Sequence, residues 1–148
     1  YKSYSTAREA LVQGKVDFVR FGPASYVLAK RENPAINLLA MESKKGKKLF
    51  KGYIVVHTQS DVKALKDLAG KRFAFGDENS TIGRYLSQQA LFNAGVAAKD
   101  LGKYEFLGRH DIVFRSVQLK DFEAGALKQS TFDKLNAKSK QMILLILF

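Results

Sequence analysis

The segment FAFGDENSTIGRYLSQQALFNAG, residues 73–95, decides how the rest of the chain is read. Phe73-Ala74-Phe75 is a short apolar run rich in aromatics, which suits a buried strand. An amphipathic helix then follows over about 81–94. Between them, Asp77 to Gly83 turns a sharp polar corner. Asn79, Ser80 and Thr81 are the residue types that cap a helix. The same corner is suited to an anion. A helix start offers unpaired N–H groups and a partial positive charge. The hydroxyls of Ser80 and Thr81 can donate, and Gly83 lets a ligand approach the backbone. Ile82 contributes an amide, and Arg84 adds long-range attraction. Both readings of the corner stand on the residues alone.

Outward from this unit, strands and helices alternate. On the N-terminal side, the sequence predicts a capped helix in STAREALVQGK, with Ser5 or Thr6 as cap and Glu9 in the first turn. A strand follows over 16–21, then a helix opened by Pro23, a strand over 36–42, a strand over 52–58 and a short helix over 60–70. On the C-terminal side come a strand over 104–108, a helix over 110–120, a strand over 121–127, a helix over 130–138 and a strand over 142–148. Such alternation predicts an α/β fold with a mostly parallel sheet. In such sheets ligands sit at the carboxyl ends of strands. Two further corners have that build. Gly108-Arg109-His110-Asp111 follows a strand and opens a helix, which places His110 as a donor. Gly22-Pro23-Ala24-Ser25 does the same, with Ser25 facing a shared cleft; each is equally an ordinary helix start.

Bulk composition narrows the function. The net charge of the 148 residues is +11, which favours an anionic partner without choosing among nucleic acid, lipid and small anion. The KKGKK cluster at 44–48 reads as a solvated turn. The chain has no cysteine, so disulfides, thiolate metal sites and a cysteine nucleophile are excluded. No His/Asp/Glu spacing matches a metal site, and no nucleophile elbow or phosphate-binding P-loop is present. No cofactor is expected. The seven apolar residues at 142–148 are too few for a membrane helix, which needs about 20. His57 sits inside an apolar strand and reads as structural. Asp77 and Glu78, with His110, are the acid–base candidates of an enzyme reading; no activated nucleophile accompanies them.

Four segments in order, GKVDFVRFGPASYVLAK, DLAGKRFAFGDENSTIG, GRHDIVF and DFEAGALKQSTF, resemble the phosphate/phosphite/phosphonate-type substrate-binding proteins of ABC transporters. The resemblance runs from about residue 3 to residue 136. It implies a type II periplasmic-binding-protein fold, with two α/β lobes joined by crossover strands and a small tetrahedral oxyanion between them. It implies no catalysis and a site of Ser80, Thr81, Ile82, Gly83 and His110, with Ser25, Gln129 and Ser130 around it. Ile82 stands where phosphonate-binding members carry a third hydroxyl. The implied organisation is a partial first lobe with a crossover strand over 1–55, a second lobe over 56–140 and a return strand over 141–148. Relatives extend further at both ends. The chain is then either a fragment or a shortened protein that completes its first lobe as a homo-oligomer. The implied partners are a small oxyanion and an ABC permease, or a sensor if the module serves a receptor. The implied place is periplasmic or extracytoplasmic, with membrane anchoring left to a segment outside this chain. A basic nucleic-acid-binding protein is the remaining alternative. It is disfavoured because Phe73, Phe75 and Phe106 lie in core patterns and no recognised binding motif appears.

Overall fold

The structure, a computed structural model, describes residues 1–43, 46 and 48–147. Helices α1 (Tyr4–Val12) and α2 (Pro23–Glu32) form an N-terminal pair. The remainder builds one five-stranded sheet from β1 (Gly52–His57), β2 (Arg72–Phe75), β3 (Lys103–Phe106), β4 (Ala124–Lys128) and β5 (Met142–Leu147), in the order β3-β2-β4-β1-β5. Helix α4 (His110–Gln118) and α5 (Gln129–Ser139) flank it, as does a π-helical turn, Thr81–Leu86, continued by α3 (Ser87–Asn93).

The sheet is mixed, a correction to the mostly parallel expectation. β2 pairs parallel with β3 and β4, and β1 pairs antiparallel with β4 and β5. β1 is apolar from Tyr53 to Val56 because both its faces are covered. Ile54 and Val56 join Phe73, Phe75, Leu68 and Leu91 on one side, and Tyr53 and Val55 join Val113, Phe114, Val117 and Leu127 on the other. Gly125 lets α4 lie close to the sheet: a Cβ there would come within 2.6 Å of Val113 Cγ1. The carboxyl ends of β2, β3 and β4 share one edge, where the corners that follow β2 and β3 lie and where the Gly22–Ser25 corner is brought by α2.

Several local expectations change. The strands expected over 16–21 and 36–42 do not form, and Phe18, Leu38, Leu39 and Met41 are exposed. Their composition suits a strand, but a strand needs a neighbour for its hydrogen bonds, and none of the described residues supplies one. The cap of α1 is Ser3, whose hydroxyl accepts from Thr6 N–H, and Thr6 rather than Glu9 closes the box. The helix expected over 60–70 shrinks to a 3₁₀ turn, Leu65–Leu68, where Asp67 accepts from the N–H groups of Lys63 and Ala64. In the KKGKK cluster, Lys44, Lys45 and Lys47 lie outside the described residues, as does Phe148 at the end of the 142–148 run.

Candidate functional site

The first corner is built by its own side chains. Asp77 Oδ1 accepts from Asn79 N–H at 2.8 Å, and Ser80 N–H donates to Asp77 O at 2.9 Å. Ser80 is buried and caps the helix, its Oγ accepting from Gly83 N–H at 2.9 Å. Capping consumes a lone pair of that oxygen and leaves its proton free to donate, so a cap and an anion donor coexist in one hydroxyl. The first turn is π-helical: the N–H groups of Arg84 and Tyr85 both reach Ser80 O, at 3.1 and 3.2 Å. As the first two residues of the turn, Thr81 and Ile82 have N–H groups without an intrahelical acceptor. The Ile82 side chain is buried in the core, so its contribution to the corner is its amide.

Gly83 is required here by contact. A Cβ on it would lie 2.8 Å from Gly76 Cα, and Gly76 N–H donates to Gly83 O at 2.8 Å. The helix start is thereby pinned to the end of β2.

Helix α2 docks on the same corner. Ala24 N–H donates to Thr81 Oγ1 at 2.9 Å, which again leaves a hydroxyl proton unspent. Ser25 is buried and donates to Asn79 O at 3.1 Å, so it reaches the corner as a brace whose proton is engaged. Arg8 bonds Asn79 Oδ1 at 3.1 Å and pairs with Glu32 at 3.2 Å.

The second corner meets the first. Leu107 N–H donates to Phe75 O at 3.0 Å and Gly108 N–H to Gly76 O at 3.2 Å, extending the β2–β3 ladder past its strands. Gly108 then turns with φ +76°, and His110 opens α4. Its ring atoms Cε1 and Nδ1 lie 3.6 Å from where a Cβ on Gly76 would sit. His110 Nδ1 is buried and has no hydrogen-bond partner among the described residues. Burial holds the imidazole pKa below its ordinary value, and repulsion from Lys128 adds to this; Asp111 and the Ala126 backbone oppose both. With its pKa below the ordinary value the ring is neutral at neutral pH and carries a single N–H, for which the Ala126 backbone and a ligand compete.

The nearby arginines are engaged elsewhere. Arg109 pairs with Asp111 at 3.0 Å. Arg84 donates to Glu78 O at 2.9 Å and lies over the rings of Tyr85 and Phe106, bracing the corner from outside. Asp77 is committed to its turn, which leaves the enzyme reading without a free carboxylate at that position. His57 accepts from Gln59 N–H at 3.1 Å, at the sheet edge opposite the corners.

Gln129 and Ser130 start α5 at the shared edge, where Gln129 N–H donates to Lys51 O at 3.0 Å; Gln129 is half-buried and Ser130 exposed. Between them and His110 the structure adds a residue that sequence reasoning passed over. Lys128 ends β4, is half-buried, and acts electrostatically on His110. Its signal in the sequence is a lysine directly after the apolar run AGAL, at a strand's carboxyl end.

Two surface depressions lie elsewhere. One of about 360 Å³ borders α3 and includes Tyr85 and Phe92; the other, about 270 Å³, includes His57, Arg72 and Glu123. Neither is lined by Thr81 or His110. Unpaired donors, not volume, single out the corner. Among the described residues no group of three His, Asp or Glu side chains is arranged to hold a metal.

Comparison with known proteins gives a consistent picture. A family described as "ABC transporter, phosphonate, periplasmic substrate-binding protein" matches residues 1–145. A probable ABC transporter phosphite-binding protein of Prochlorococcus marinus is 36% identical over 126 residues, covering 80% of this chain and 42% of that one. A phosphate-import protein of Mycolicibacterium smegmatis is 28% identical over 141 residues, covering 88% of this chain and 44% of that one. The chain thus spans a little under half the length of these curated relatives. A solved structure of a Prochlorococcus marinus protein in complex with methylphosphonate superposes with TM-score 0.86 at 30% identity, covering 99% of this chain and 57% of that one. A binding-protein component of an ABC phosphonate transporter from Pseudomonas aeruginosa superposes with TM-score 0.80 at 16% identity, covering 99% and 52%, which speaks to the fold alone.

Proposed function

Because the chain belongs to the family of periplasmic phosphonate-type substrate-binding proteins of ABC transporters, we propose that it captures a small tetrahedral oxyanion, such as phosphate, phosphite or a phosphonate, at the edge where its three corners meet. The observation that carries this reading is the approach of His110, with its buried unpartnered Nδ1, to the Gly76–Gly83 contact. The hydroxyl protons of Ser80 and Thr81 and the amides of Thr81 and Ile82 surround the same place. Gln129 and Ser130 close it from α5, and Ser25 braces it. Neutral donors that are already positioned stabilise an anion at little reorganisation cost. The group binds and releases its ligand, and no bond is made or broken.

In this reading residues 1–55 form part of a first lobe with its crossover strand, 56–140 the second lobe, and 141–148 the return strand. The permease of an ABC transporter is the partner, and the protein works outside the cytoplasm, as its family does. A second chain laid along β5 would cover the exposed Ile143 and Leu144. Among the described residues, no helix is long and apolar enough to cross a membrane.

The test is a ligand-driven melting shift. Binding only the native form stabilises it by about 2.7 kcal/mol at a hundredfold excess over Kd. Phosphite, methylphosphonate and phosphate are each added to the protein and to Thr81→Ala. Losing the Thr81 hydroxyl removes the acceptor of Ala24 N–H, which costs about 1 kcal/mol. The variant is expected to stay folded and to lose the anion response. An unchanged melting temperature of the unaltered protein with all three anions would overturn the reading, and a normal response of the variant would reduce Thr81 to a helix-start residue.

A further inference from the structure

We propose that Lys128 supplies the positive charge of this cleft and makes it prefer doubly charged tetrahedral oxyanions over singly charged ones. The proposal rests on the oxyanion reading of the corner and adds a cation to a site otherwise made of neutral donors.

The placement comes from the sheet. β2 and β4 run parallel, with Phe73 opposite Ala124 and Ala74 opposite Gly125, so the last residue of β4 lies at the edge where Gly76 and Asp77 leave β2. Side chains alternate along a strand. Gly125 and Leu127 face α4. Ala124 and Ala126 face the layer of Phe73, Phe75 and Leu91, beneath the helix that starts at Thr81. Lys128 continues the Ala124–Ala126 side, and so leaves the sheet on the face of that helix start.

Its surroundings leave the charge uncompensated. Among the described residues its ammonium has no carboxylate partner: Arg8, Arg20, Lys71, Arg72, Lys103 and Arg109 form the ion pairs, and Lys128 forms none. It is also half-buried, where a charge is screened less than on the open surface. Of the acids near the edge, Asp77 is committed to its turn and Asp111 to Arg109. The depression of the His110 pKa by Lys128 is the mark of their proximity. A half-buried cation without a counter-ion among the described residues, beside an imidazole whose Nδ1 has no partner there and two free hydroxyl protons, is complementary to a ligand that brings more than one negative charge.

Sulfate and methanesulfonate share a tetrahedral centre and keep charges of −2 and −1 across the neutral range, so they separate charge from shape. Binding of both, and of methylphosphonate, is measured by calorimetry on the full chain and on Lys128→Met, with Lys128→Gln as the second variant should Met at this half-buried edge fail to fold. Charge-assisted hydrogen bonds contribute enough that a loss of about ten- to a hundredfold in methylphosphonate affinity is expected. The sulfate-to-methanesulfonate preference should collapse, the salt dependence of sulfate binding should flatten, and Lys128→Arg should retain part of the preference. If the lysine variants bind all three anions within about twofold of the parent while Thr81→Ala does not, the role of Lys128 is refuted and the oxyanion site stands. If the unaltered protein binds no member of the set and no phosphite or phosphate either, the site reading fails and this inference with it.

Discussion

Gly83→Ala is expected to destabilise the protein and to abolish its anion response at the same time. The added Cβ would meet Gly76 Cα at 2.8 Å, Gly76 N at 3.1 Å and Ser80 Oγ at 3.1 Å. Two of these are backbone atoms, so no side chain can rotate aside to relieve the clash. The helix start must move off the end of β2. That movement breaks the Gly76 N–H to Gly83 O bond, 2.8 Å long, and strains the Ser80 cap on Gly83 N–H at 2.9 Å. Overpacking with the loss of a buried hydrogen bond costs about 2–4 kcal/mol. The functional loss is larger in kind. Thr81 and Ile82 ride on this turn, so their amides and the Thr81 hydroxyl would no longer face the place where His110 points. Denaturant unfolding together with a methylphosphonate melting shift reads both effects. Parental stability with a parental shift would show that the Gly76–Gly83 contact is not what shapes the corner.

Phe75→Ala has the largest expected effect on stability alone. Phe75 is fully buried, and its ring packs 4.5 Å from Phe73, 5.4 Å from Phe106 and 5.7 Å from Tyr104, measured between centroids. Truncating a buried phenylalanine costs about 3–5 kcal/mol through lost burial and the cavity left behind. A domain of this size has only about 5–15 kcal/mol in total, so the variant is expected to sit near the edge of folding. The denaturation midpoint should fall sharply with little change in slope, because the surface exposed on unfolding is nearly the same. A loss below about 1 kcal/mol would mean that the β2–β3 layer is not the packed core described.

The sheet was legible wherever a strand is buried on both faces. YIVV and FAF are unbroken apolar runs because helices cover them on each side, and their positions follow from that alone. VDFVRF and INLLAME have an equally strand-like composition and form none. What makes a strand there is a hydrogen-bonding neighbour, which composition does not encode. The corner was legible in part. Asn79, Ser80, Thr81 and Gly83 announce a capped turn and a close backbone approach, and both are present. Which protons remain free was not legible. Ser25 spends its hydroxyl on Asn79 O, 54 residues away, while Thr81 keeps its proton because Ala24 N–H takes only its lone pair. Lys128 escaped notice for a similar reason: a lysine at a strand end is ordinary until the structure shows that no carboxylate among the described residues pairs with it. Arg84 and Arg109, prominent in the sequence beside the two corners, turn to partners of their own.

The imidazole of His110 reports on the whole arrangement. Its ring resonances can be followed by NMR from about pH 8 to about pH 4, a range that brackets the ordinary histidine value near 6.5. In the free protein the ring should titrate below that value, because burial and Lys128 disfavour the imidazolium more than Asp111 favours it. Saturating sulfate, which stays doubly charged over this range, or methylphosphonate should move the titration upward, since a negative charge at Nδ1 favours the protonated ring. The complex then holds more proton than the free protein between the two values, so sulfate affinity should rise as pH falls through that interval. A His110 titration that is identical with and without saturating anion, while the anion binds, would place the ligand elsewhere and contradict the convergence of these corners on one site.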